Sequence, residues 1–328
     1  MPLDKQELLA LLRRDSYVSG AELGKRLGVT RAAVSKAVAA LKREGYGIDS
    51  VPNRGHRLAA EPDLLTRAGI LEALGPHPWA GTVEVLETVD STNSYLKTHA
   101  AAGAPHGTVV VANCQTGGRG RLGRSFDSSA GAGVYLSILL RPACPPNALM
   151  ALTAQAAVAV RRAIRAVTGA EAGIKWVNDL VLNGRKLCGI LTELSIEAES
   201  GLIAYAVVGA GLNCNRQIED YHPALRDTVG TLLSETGKRV DRNALAAAMI
   251  RELSAMPELD WQAEYRSACV NLGKDVQILA PGQPPRTGKA LDVGPDAELM
   301  VQTETGVEAV QSGEVSVRGL YGYVPVEN

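Results

Sequence analysis

The sequence of 328 residues lacks the patterns by which several common kinds of site are recognised. Its five cysteines contain no CxxC pair and no His/Cys cluster, so we expect neither disulfide bridges nor a structural zinc site. The five histidines show no metal-ligand spacing. There is no G-x-S-x-G segment and no Gly-Lys-Ser/Thr nucleotide pattern. We therefore expect chemistry that proceeds without a covalent enzyme intermediate.

Long hydrophobic runs are also missing. No apolar stretch reaches about 18 residues without a charge, so no transmembrane helix is expected. The start, M-P-L-D-K-Q-E-L-L, carries charges where a signal peptide needs an apolar run. These two features predict a cytoplasmic protein that does not associate with membranes. The length predicts two or three domains.

Charge is unevenly distributed along the chain. Residues 1–60 carry eleven Lys/Arg and six Asp/Glu, a net charge of 11 − 6 = +5. Because the whole chain has a net charge of −1, the remainder has −1 − 5 = −6. A basic first segment joined to an acidic remainder predicts a nucleic-acid-binding module attached to a second activity.

The basic segment has the pattern of a winged helix-turn-helix. Helical spacing over residues 5–13 is followed by a short helix over 20–27, a glycine at 28 and a second helix over 31–44. Two short strands over 46–58 would form the wing. Candidate DNA-binding side chains are Arg31, Ser35, Lys36 and Arg54. The alternative is a helical interaction domain whose basic face is only solvated.

One loop stands out in the remainder. Residues 115–126 read Q-T-G-G-R-G-R-L-G-R-S-F, between predicted strands at 108–114 and 134–140. Glycine lets a backbone approach a ligand closely, and arginine offers a planar fork for phosphates and carboxylates. The loop therefore predicts an anionic, phosphate-bearing ligand. The alternative is a flexible Arg-Gly segment that contacts RNA.

A second group of candidates lies downstream, in K-W-V-N-D at 175–179 and K-L-C-G-I-L at 186–191. Lys186 enters an apolar strand, where an unpaired ammonium is costly, so it requires an anion. Together with Asn178 and Asp179 it would suit a nucleotide triphosphate and Mg²⁺, and positioning with charge stabilisation would then drive the chemistry. Taken singly, Asn178 and Asp179 could form only an Asx-turn, and each lysine only a surface ion pair.

The other periodic segments outline an α+β chain. Helices are predicted over 65–74, from the cap at 90–93 to about 101, over 148–167 and over 241–256. Further strands are predicted at 83–89, 186–194 and 205–212, and residues 174–182 are predicted to form a strand, a polar turn and a second strand, with a hairpin turn at 183–184. Short apolar runs alternate with turns over 273–320, which predicts a small β-barrel.

These motifs resemble the family of bifunctional biotin protein ligases and biotin operon repressors. The resemblance is carried by G-R-G-R-L-G-R at 118–124, K-W-V-N-D and K-L-C-G-I-L, and is supported by V-G-A-G-L-N at 208–213 and S-T-N at 91–93. It covers nearly the whole chain. It implies a winged helix-turn-helix over 1–62, a central mixed-sheet catalytic domain over 63–270 and an SH3-like β-barrel over 271–328.

The resemblance also implies a reaction in two steps. The carboxylate of biotin attacks the α-phosphate of ATP, which gives biotinyl-5′-AMP and pyrophosphate. A lysine of the biotin carboxyl carrier protein of acetyl-CoA carboxylase then attacks the adenylate. Mg²⁺, operator DNA and a homodimer are implied as well, with the dependence of the dimer on the adenylate left open.

Carried over by position, Lys186 and Arg121 are the implied catalytic residues. The implied biotin-binding residues are Ser91, Thr92, Asn93, Gln115, Gly118, Arg119, Gly120, Arg121, Lys186, Gly189, Gly209 and Gly211. The implied nucleotide-binding residues are Arg124, Phe126, Lys175, Asn178, Asp179, Asn213 and Arg318, with Asp179 facing the metal. The sequence departs from the family where Phe126 replaces a tryptophan that packs on adenine, and where Val177 replaces a proline.

Two other functions remain open at this point. A lipoate or octanoyl protein ligase would share the fold, a lysine and a glycine-arginine loop. A transcription factor whose large domain only senses a ligand would share the helix-turn-helix. The K-W-x-N-D run together with the helix-turn-helix favours the biotin ligase.

Overall fold

The computed structural model describes residues 4–13, 16–43, 46–52, 54–60, 63–142, 144–280, 282–312 and 316–319. The chain divides into two compact units, residues 1–64 and residues 65–328. The sequence-based domain limits at 62/63 and 270/271 stay predictions. No helix in the described ranges is long and apolar enough to cross a membrane.

The first unit is a winged helix-turn-helix, as predicted. Its elements are α1 Lys5–Leu12, α2 Gly20–Leu27, α3 Arg31–Arg43, β1 Gly47–Val51 and β2 Gly55–Ala60, and the two strands pair antiparallel. Ser19 caps α2 by accepting a hydrogen bond from the Glu22 amide, and Gly28 ends it in the left-handed region at φ 65°. Glu44 and Asn53, which the predicted helix and wing included, lie outside the described residues.

The third helix of this unit separates its side chains by polarity. Val34, Val38 and Leu41 are buried in the core that α1, α2 and β1 share. The opposite face is exposed and carries Arg31, Ser35, Lys36 and Lys42. The three-to-four residue spacing of the apolar positions produces this arrangement.

The second unit is built on a seven-stranded mixed sheet. Its strands are β3 Val83–Val89, β4 Val109–Gln115, β5 Gly133–Leu140, β6 Gly173–Lys175, β7 Asp179–Leu182, β8 Arg185–Ile196 and β9 Ile203–Asn213. Their order across the sheet is β3-β4-β5-β9-β8-β7-β6. The β3–β4 pair is parallel, and the other neighbours are antiparallel. The long strands β8 and β9 therefore lie near the middle of the sheet and carry the candidate site residues Gly189, Gly209 and Gly211.

Helices cover both faces of this sheet. They are α4 Arg67–Leu74, α5 Thr92–Ala101, α6 Leu152–Thr168, α7 Leu232–Thr236, α8 Arg242–Ser254 and α9 Trp261–Ala268. The alternate side chains of β5 separate the faces: Leu136 packs in the core with α6 and α8, and Leu139 packs with α5. The predicted start of α6 at 148 was wrong, since residues Pro146–Leu149 form a 3₁₀ turn. The short helices α7 and α9 were not predicted.

A five-stranded antiparallel sheet follows. Its strands are β10 Asp275–Leu279, β11 Arg286–Val293, β12 Leu299–Thr303, β13 Gly306–Val310 and β14 Ser316–Gly319, in the order β13-β12-β11-β10-β14. Strand number and antiparallel order agree with the predicted SH3-like barrel. Within the described ranges no pairing of β13 with β14 closes it.

One tryptophan joins this small sheet to the central one. The indole Nε1 of Trp176 donates to the carbonyl of Ala297 at 2.8 Å, and its backbone N donates to Oδ1 of Asn271 at 2.7 Å. Trp176 is buried, in a core continuous with the inner face of β10 to β13. The tryptophan of K-W-V-N-D therefore holds the two sheets together.

Candidate active site

A pocket opens on the α5 side of the central sheet, where S-T-N, the glycine-arginine loop and strands β8 and β9 meet. Its empty space, including the part open to solvent, is about 340 Å³. The lining residues are Ser91, Thr92, Asn93, Gln115, Arg119, Phe126, Gly189, Leu191, Gly209, Ala210 and Gly211. Most of the sequence-predicted biotin residues are among them. Gly118, Gly120, Arg121 and Lys186 lie outside this lining.

The S-T-N residues lie at the start of helix α5 and also line the pocket. Ser91 is the N-cap of α5 and accepts a hydrogen bond from the Ser94 amide at 3.5 Å. The backbone N of Thr92 donates to Oε1 of Gln115 at 2.8 Å. All three side chains of S-T-N are buried. Capping and lining the pocket are therefore compatible at this helix start.

Other groups approach the backbone closely at three glycines of β8 and β9, most closely at Gly209 and Gly211. A Cβ on Gly209 would lie 2.1 Å from Oδ1 of Asn93, and a Cβ on Gly211 would lie 2.7 Å from the Phe126 ring. A Cβ on Gly189 would lie 3.3 Å from Nζ of Lys186. Any larger residue at these positions would displace the polar groups or the ring that face the pocket.

The glycine-arginine loop folds back on itself through its own backbone. The amide of Gly120 donates to the carbonyl of Arg124 at 2.7 Å, and the amide of Phe126 donates to the carbonyl of Gly118 at 2.9 Å. Arg119 and Arg124 are exposed, and Arg119 donates to Oγ of Ser94 at 2.9 Å. Two of the loop arginines are therefore presented at the surface beside the pocket.

The third loop arginine turns inward instead. Arg121 donates to Oδ1 of Asn178 at 3.2 Å and to the carbonyl of Ser312. Burial lowers the pKa of Arg121, and the charge of Asp179 opposes this shift. A guanidinium remains charged under such shifts. Arg121 therefore ties the loop to the K-W-V-N-D turn and to the small sheet.

Lys186 meets an anion, as its position in an apolar strand requires. Its Nζ lies 2.6 Å from Oδ1 of Asp179 on the neighbouring strand β7. The exposed fraction of the side chain is 30% for Lys186 and 14% for Asp179. The pair is thus partly screened from solvent, where an attraction between charges is stronger than on an open surface.

Two predicted nucleotide-binding amides are used to hold backbone. Nδ2 of Asn178 donates to the carbonyl of Ile190 at 2.9 Å, which leaves its Oδ1 for Arg121. Nδ2 of Asn213 donates to the carbonyl of Gly230 at 3.1 Å. Lys175 ends β6 and is partly buried. Arg318 belongs to β14, and its side chain lies outside the described part of the chain.

Phe126 lies across the glycines of β8 and β9. Its ring approaches Gly189 and Gly211, and it meets Tyr135 edge-on with 6.5 Å between the ring centroids. The structure thus brings it next to the residues predicted for biotin. Packing of Phe126 on adenine stays a prediction.

The sequence reasoning missed a cluster just after the loop. Arg216 donates to Oδ2 of Asp127 at 2.9 Å and to Oγ of Ser129 at 3.1 Å, and its guanidinium lies 4.1 Å from the centroid of Tyr221. Burial raises the pKa of Asp127, but hydrogen bonds from Ser129 and Arg216 lower it by more, so the net shift is downward. Arg216 lies far from Asp127 in sequence, and no local pattern indicated the contact.

The described residues of the site offer few ligands for a metal ion. The described residues contain no group of three or more His, Cys, Asp or Glu side chains suited to a metal. Asp179 offers one carboxylate beside Lys186. Such a donor set suits Mg²⁺ only in the mode where one or two carboxylates and substrate phosphates hold the ion.

Two protein families match this chain, one in each of its two units. Residues 85–213 match the Biotin/lipoate A/B protein ligase family, and residues 5–57 match an HTH domain. The chain is 33% identical to the bifunctional ligase/repressor BirA of Escherichia coli K12 over 320 residues, which covers 95% of this chain and 96% of that protein. It is 32% identical to the biotin–[acetyl-CoA-carboxylase] ligase of Mycobacterium tuberculosis over 246 residues, which covers 71% of this chain and 88% of that protein.

A solved structure extends the similarity to three dimensions. The biotin protein ligase from Aquifex aeolicus in complex with biotin and ATP is 30% identical and superimposes with a TM-score of 0.63. The match covers 73% of this chain and 99% of that one.

The close approach at Gly209 gives a test of the pocket geometry that needs no ligand. Gly209→Ala should lower the free energy of unfolding by about 1–3 kcal/mol, because the added methyl group clashes with Asn93. Urea unfolding followed by tryptophan fluorescence measures this, since all three tryptophans (Trp79, Trp176 and Trp261) lie in the second unit. Gly81→Ala is the control, because no atom lies within 4 Å of its Cβ position. Equal midpoints for the two variants would contradict the packing described.

Proposed function

The chain belongs to the biotin/lipoate A/B protein ligase family, and we propose that it is a biotin–protein ligase that also acts as a biotin-responsive transcriptional repressor. The observation that carries the proposal is the joint presence of a glycine-lined pocket, an ion-paired lysine at its edge and an inward-turned loop arginine. Similarity to bifunctional ligase/repressors over 95% of the chain supports both activities.

In the proposed reaction the pocket binds biotin and leaves its carboxylate near Lys186. A carboxylate oxygen attacks the α-phosphorus of ATP, the bond from that phosphorus to the bridging oxygen breaks, and pyrophosphate leaves. Lys186 would exchange Asp179 for the carboxylate and the α-phosphate, where negative charge develops. A preorganised positive group in a partly buried site stabilises such charge effectively. The resulting biotinyl-5′-AMP is an activated acyl group.

Transfer completes the reaction. The amine of an acceptor lysine attacks the acyl carbon, an amide bond forms, AMP leaves and the amine loses a proton. We propose the biotin carboxyl carrier protein of acetyl-CoA carboxylase as the acceptor, and Arg121 as the residue that retains the adenylate until the acceptor arrives. The anchoring of Arg121 at Asn178 and Ser312 supports this role, since it can hold the loop over the site.

The nucleotide side of the site is proposed from the same neighbourhood. Asn178 and Asp179 adjoin Lys186, and Arg121 connects them to the loop that carries Arg124 and Phe126. Lys175, Asn213 and Arg318 remain proposed nucleotide-binding residues from the family pattern. Mg²⁺ is a further proposal: Asp179 would hold it together with the phosphates, and the ion would neutralise part of their charge.

Lipoate and octanoate are the rival substrates within the family. The pocket is lined by polar groups of the buried residues Thr92 and Asn93 and of the half-buried Gln115, which match a polar ring rather than an alkyl chain. A site with polar groups strongly rejects a ligand that leaves those groups without hydrogen bonds. An apolar pocket discriminates only weakly against a ligand that carries a few additional atoms. This favours biotin over the lipoyl and octanoyl chains.

Pyrophosphate release separates these functions. Wild-type protein with ATP and biotin should release pyrophosphate, and ATP with lipoate or octanoate should give no more than ATP alone. Release with lipoate or octanoate instead of biotin would reassign the substrate. Tight biotin binding without any release would leave a ligand sensor.

The same assay tests Lys186. Lys186→Ala should reduce the rate by roughly 10²–10³, because a preorganised charge-stabilising group is removed. Lys238→Ala, which removes an exposed lysine, is the control and should retain the wild-type rate. An unchanged rate in Lys186→Ala would remove this residue from the mechanism.

Repression requires the first unit to bind operator DNA. The exposed face of α3 with Arg31, Ser35 and Lys36, and Arg54 at the wing, is the proposed contact surface. One winged helix makes few base contacts, so we propose a homodimer that places two copies on operator half-sites. Exposed edges of the central sheets could supply the pairing. We also propose the cytoplasm as the site of both activities.

Biotin and ATP should therefore strengthen operator binding. An allosteric coupling of about 1–3 kcal/mol corresponds to roughly 5–150-fold in affinity. Titration of a labelled DNA fragment from upstream of the biotin genes, with and without biotin plus ATP, measures this effect. The affinity should also fall steeply with salt, and Lys36→Ala should weaken binding and flatten the salt dependence relative to Lys238→Ala. Equal affinity with and without the ligands would mean that the first unit does not sense them.

A further inference from the structure

A continuous chain of hydrogen bonds runs beneath the pocket, and its central member is a serine that the sequence reasoning did not single out. Ser137 lies in the apolar strand β5 and is 0% exposed. Its Oγ lies 2.7 Å from Oγ1 of Thr92 and 2.7 Å from Oδ1 of Asn93. The chain continues from Thr92 to Gln115 and from Asn93 to Glu193.

Both ends of the chain have a fixed direction. The carboxylate of Glu193 and the carbonyl of Leu191 can only accept, so the NH₂ of Asn93 faces them, at 2.9 and 3.2 Å. Its Oδ1 is therefore left for Ser137. At the other end the backbone N–H of Thr92 can only donate, so the amide of Gln115 presents Oε1 to it.

Glu193 is ionised at neutral pH in this setting. Lys97 places Nζ 2.5 Å from its Oε1. Burial raises the pKa of Glu193, whereas the hydrogen bonds from Lys97 and Asn93 lower it, and the net shift is downward. Glu193 is therefore a carboxylate at neutral pH, and it can only accept hydrogen bonds.

These fixed ends determine where each hydroxyl proton lies. Ser137 has one proton, and it must go to Oδ1 of Asn93, which carries none. Ser137 can then only accept from Thr92. The single proton of Thr92 is directed either to Ser137 or to Oε1 of Gln115, so it stays within the chain. Only lone pairs of the Thr92 hydroxyl remain to face the pocket that it lines.

We propose that Ser137 is a positioning residue that fixes the Thr92 hydroxyl as a hydrogen-bond acceptor, so that the pocket selects ligands presenting a ring N–H at this point. The inference rests on the proposed function and deepens it. A cyclic urea carries such an N–H, and a dithiolane ring or an alkyl chain does not. Gly209 is part of the device, because a Cβ there would lie 2.1 Å from Asn93 Oδ1 and 3.1 Å from Ser137 Oγ.

The proposal is tested by biotin binding to Ser137→Ala. Without Ser137 the Thr92 hydroxyl keeps only its longer acceptor, Oε1 of Gln115 at 3.1 Å, which also accepts from the Thr92 backbone N–H. Its proton can then turn into the pocket, so the Kd and KM for biotin should rise by roughly tenfold, the typical effect of one hydrogen bond. The KM for ATP and the kcat at saturating biotin should stay within about twofold of wild type. Ser137→Cys, which keeps a weak donor, should give an intermediate Kd.

Thr192→Val is the matched control. It removes a hydroxyl hydrogen bond of 2.9 Å to Thr153 on α6, next in sequence to the pocket residue Leu191 but in contact with the helix rather than with the pocket. Its Kd for biotin should equal that of wild type. Dethiobiotin keeps both ring N–H groups and lacks the sulfur, so Ser137→Ala should weaken its binding by the same factor as for biotin.

Three results would overturn the inference: an unchanged Kd for biotin in Ser137→Ala, an equal loss in Thr192→Val, or a loss for biotin but not for dethiobiotin. Failure of the proposed function is distinguishable from these results. In that case wild-type protein itself would bind neither biotin nor dethiobiotin, or would bind biotin without releasing pyrophosphate from ATP.

Discussion

The ion pair between Lys186 and Asp179 is the interaction on which the site depends. An ammonium at the edge of an apolar strand requires an anion, and Asp179 supplies it from the neighbouring strand at 2.6 Å. Gly189 lies beside this pair, and a Cβ at that position would be 3.3 Å from Nζ. The same lysine lies near Gly189 of the pocket lining, and its partner Asp179 directly follows Asn178, which accepts from Arg121. In the proposed reaction an incoming phosphate or carboxylate would replace Asp179 as the partner of this lysine.

The K-W-V-N-D segment shows how few residues connect the parts of the second unit. Trp176 joins the small antiparallel sheet to the central one, Asn178 fixes the loop arginine, and Asp179 pairs with the lysine. Arg121 itself reaches the carbonyl of Ser312, close to the strand that carries Arg318. The glycine-arginine loop and the small sheet are consequently linked through one short turn.

Residues with a distinctive local pattern could be predicted from the sequence, and residues that act through distant contacts could not. The glycine-arginine loop is predicted from its unusual composition, and the lysine of K-L-C-G-I-L from its place in an apolar strand. S-T-N is an ordinary composition for a helix start, and only the family resemblance assigns it to biotin. Ser137 is a single polar residue in the apolar run of β5, and its partners Thr92 and Asn93 lie 45 and 44 positions away. Arg216 meets Asp127 across 89 positions. Elements were predicted well where periodicity was strong, while the short helices α7 and α9 carried too little of it.

A crystal structure of the protein with biotinyl-5′-AMP is the most direct test of this account. We expect the ring system to lie between Thr92 and Gly211, with Nζ of Lys186 about 3 Å from an oxygen of the acyl-phosphate group and withdrawn from Asp179. A ring system bound outside this pocket, or a Lys186 that remains on Asp179 and does not contact the ligand, would contradict it.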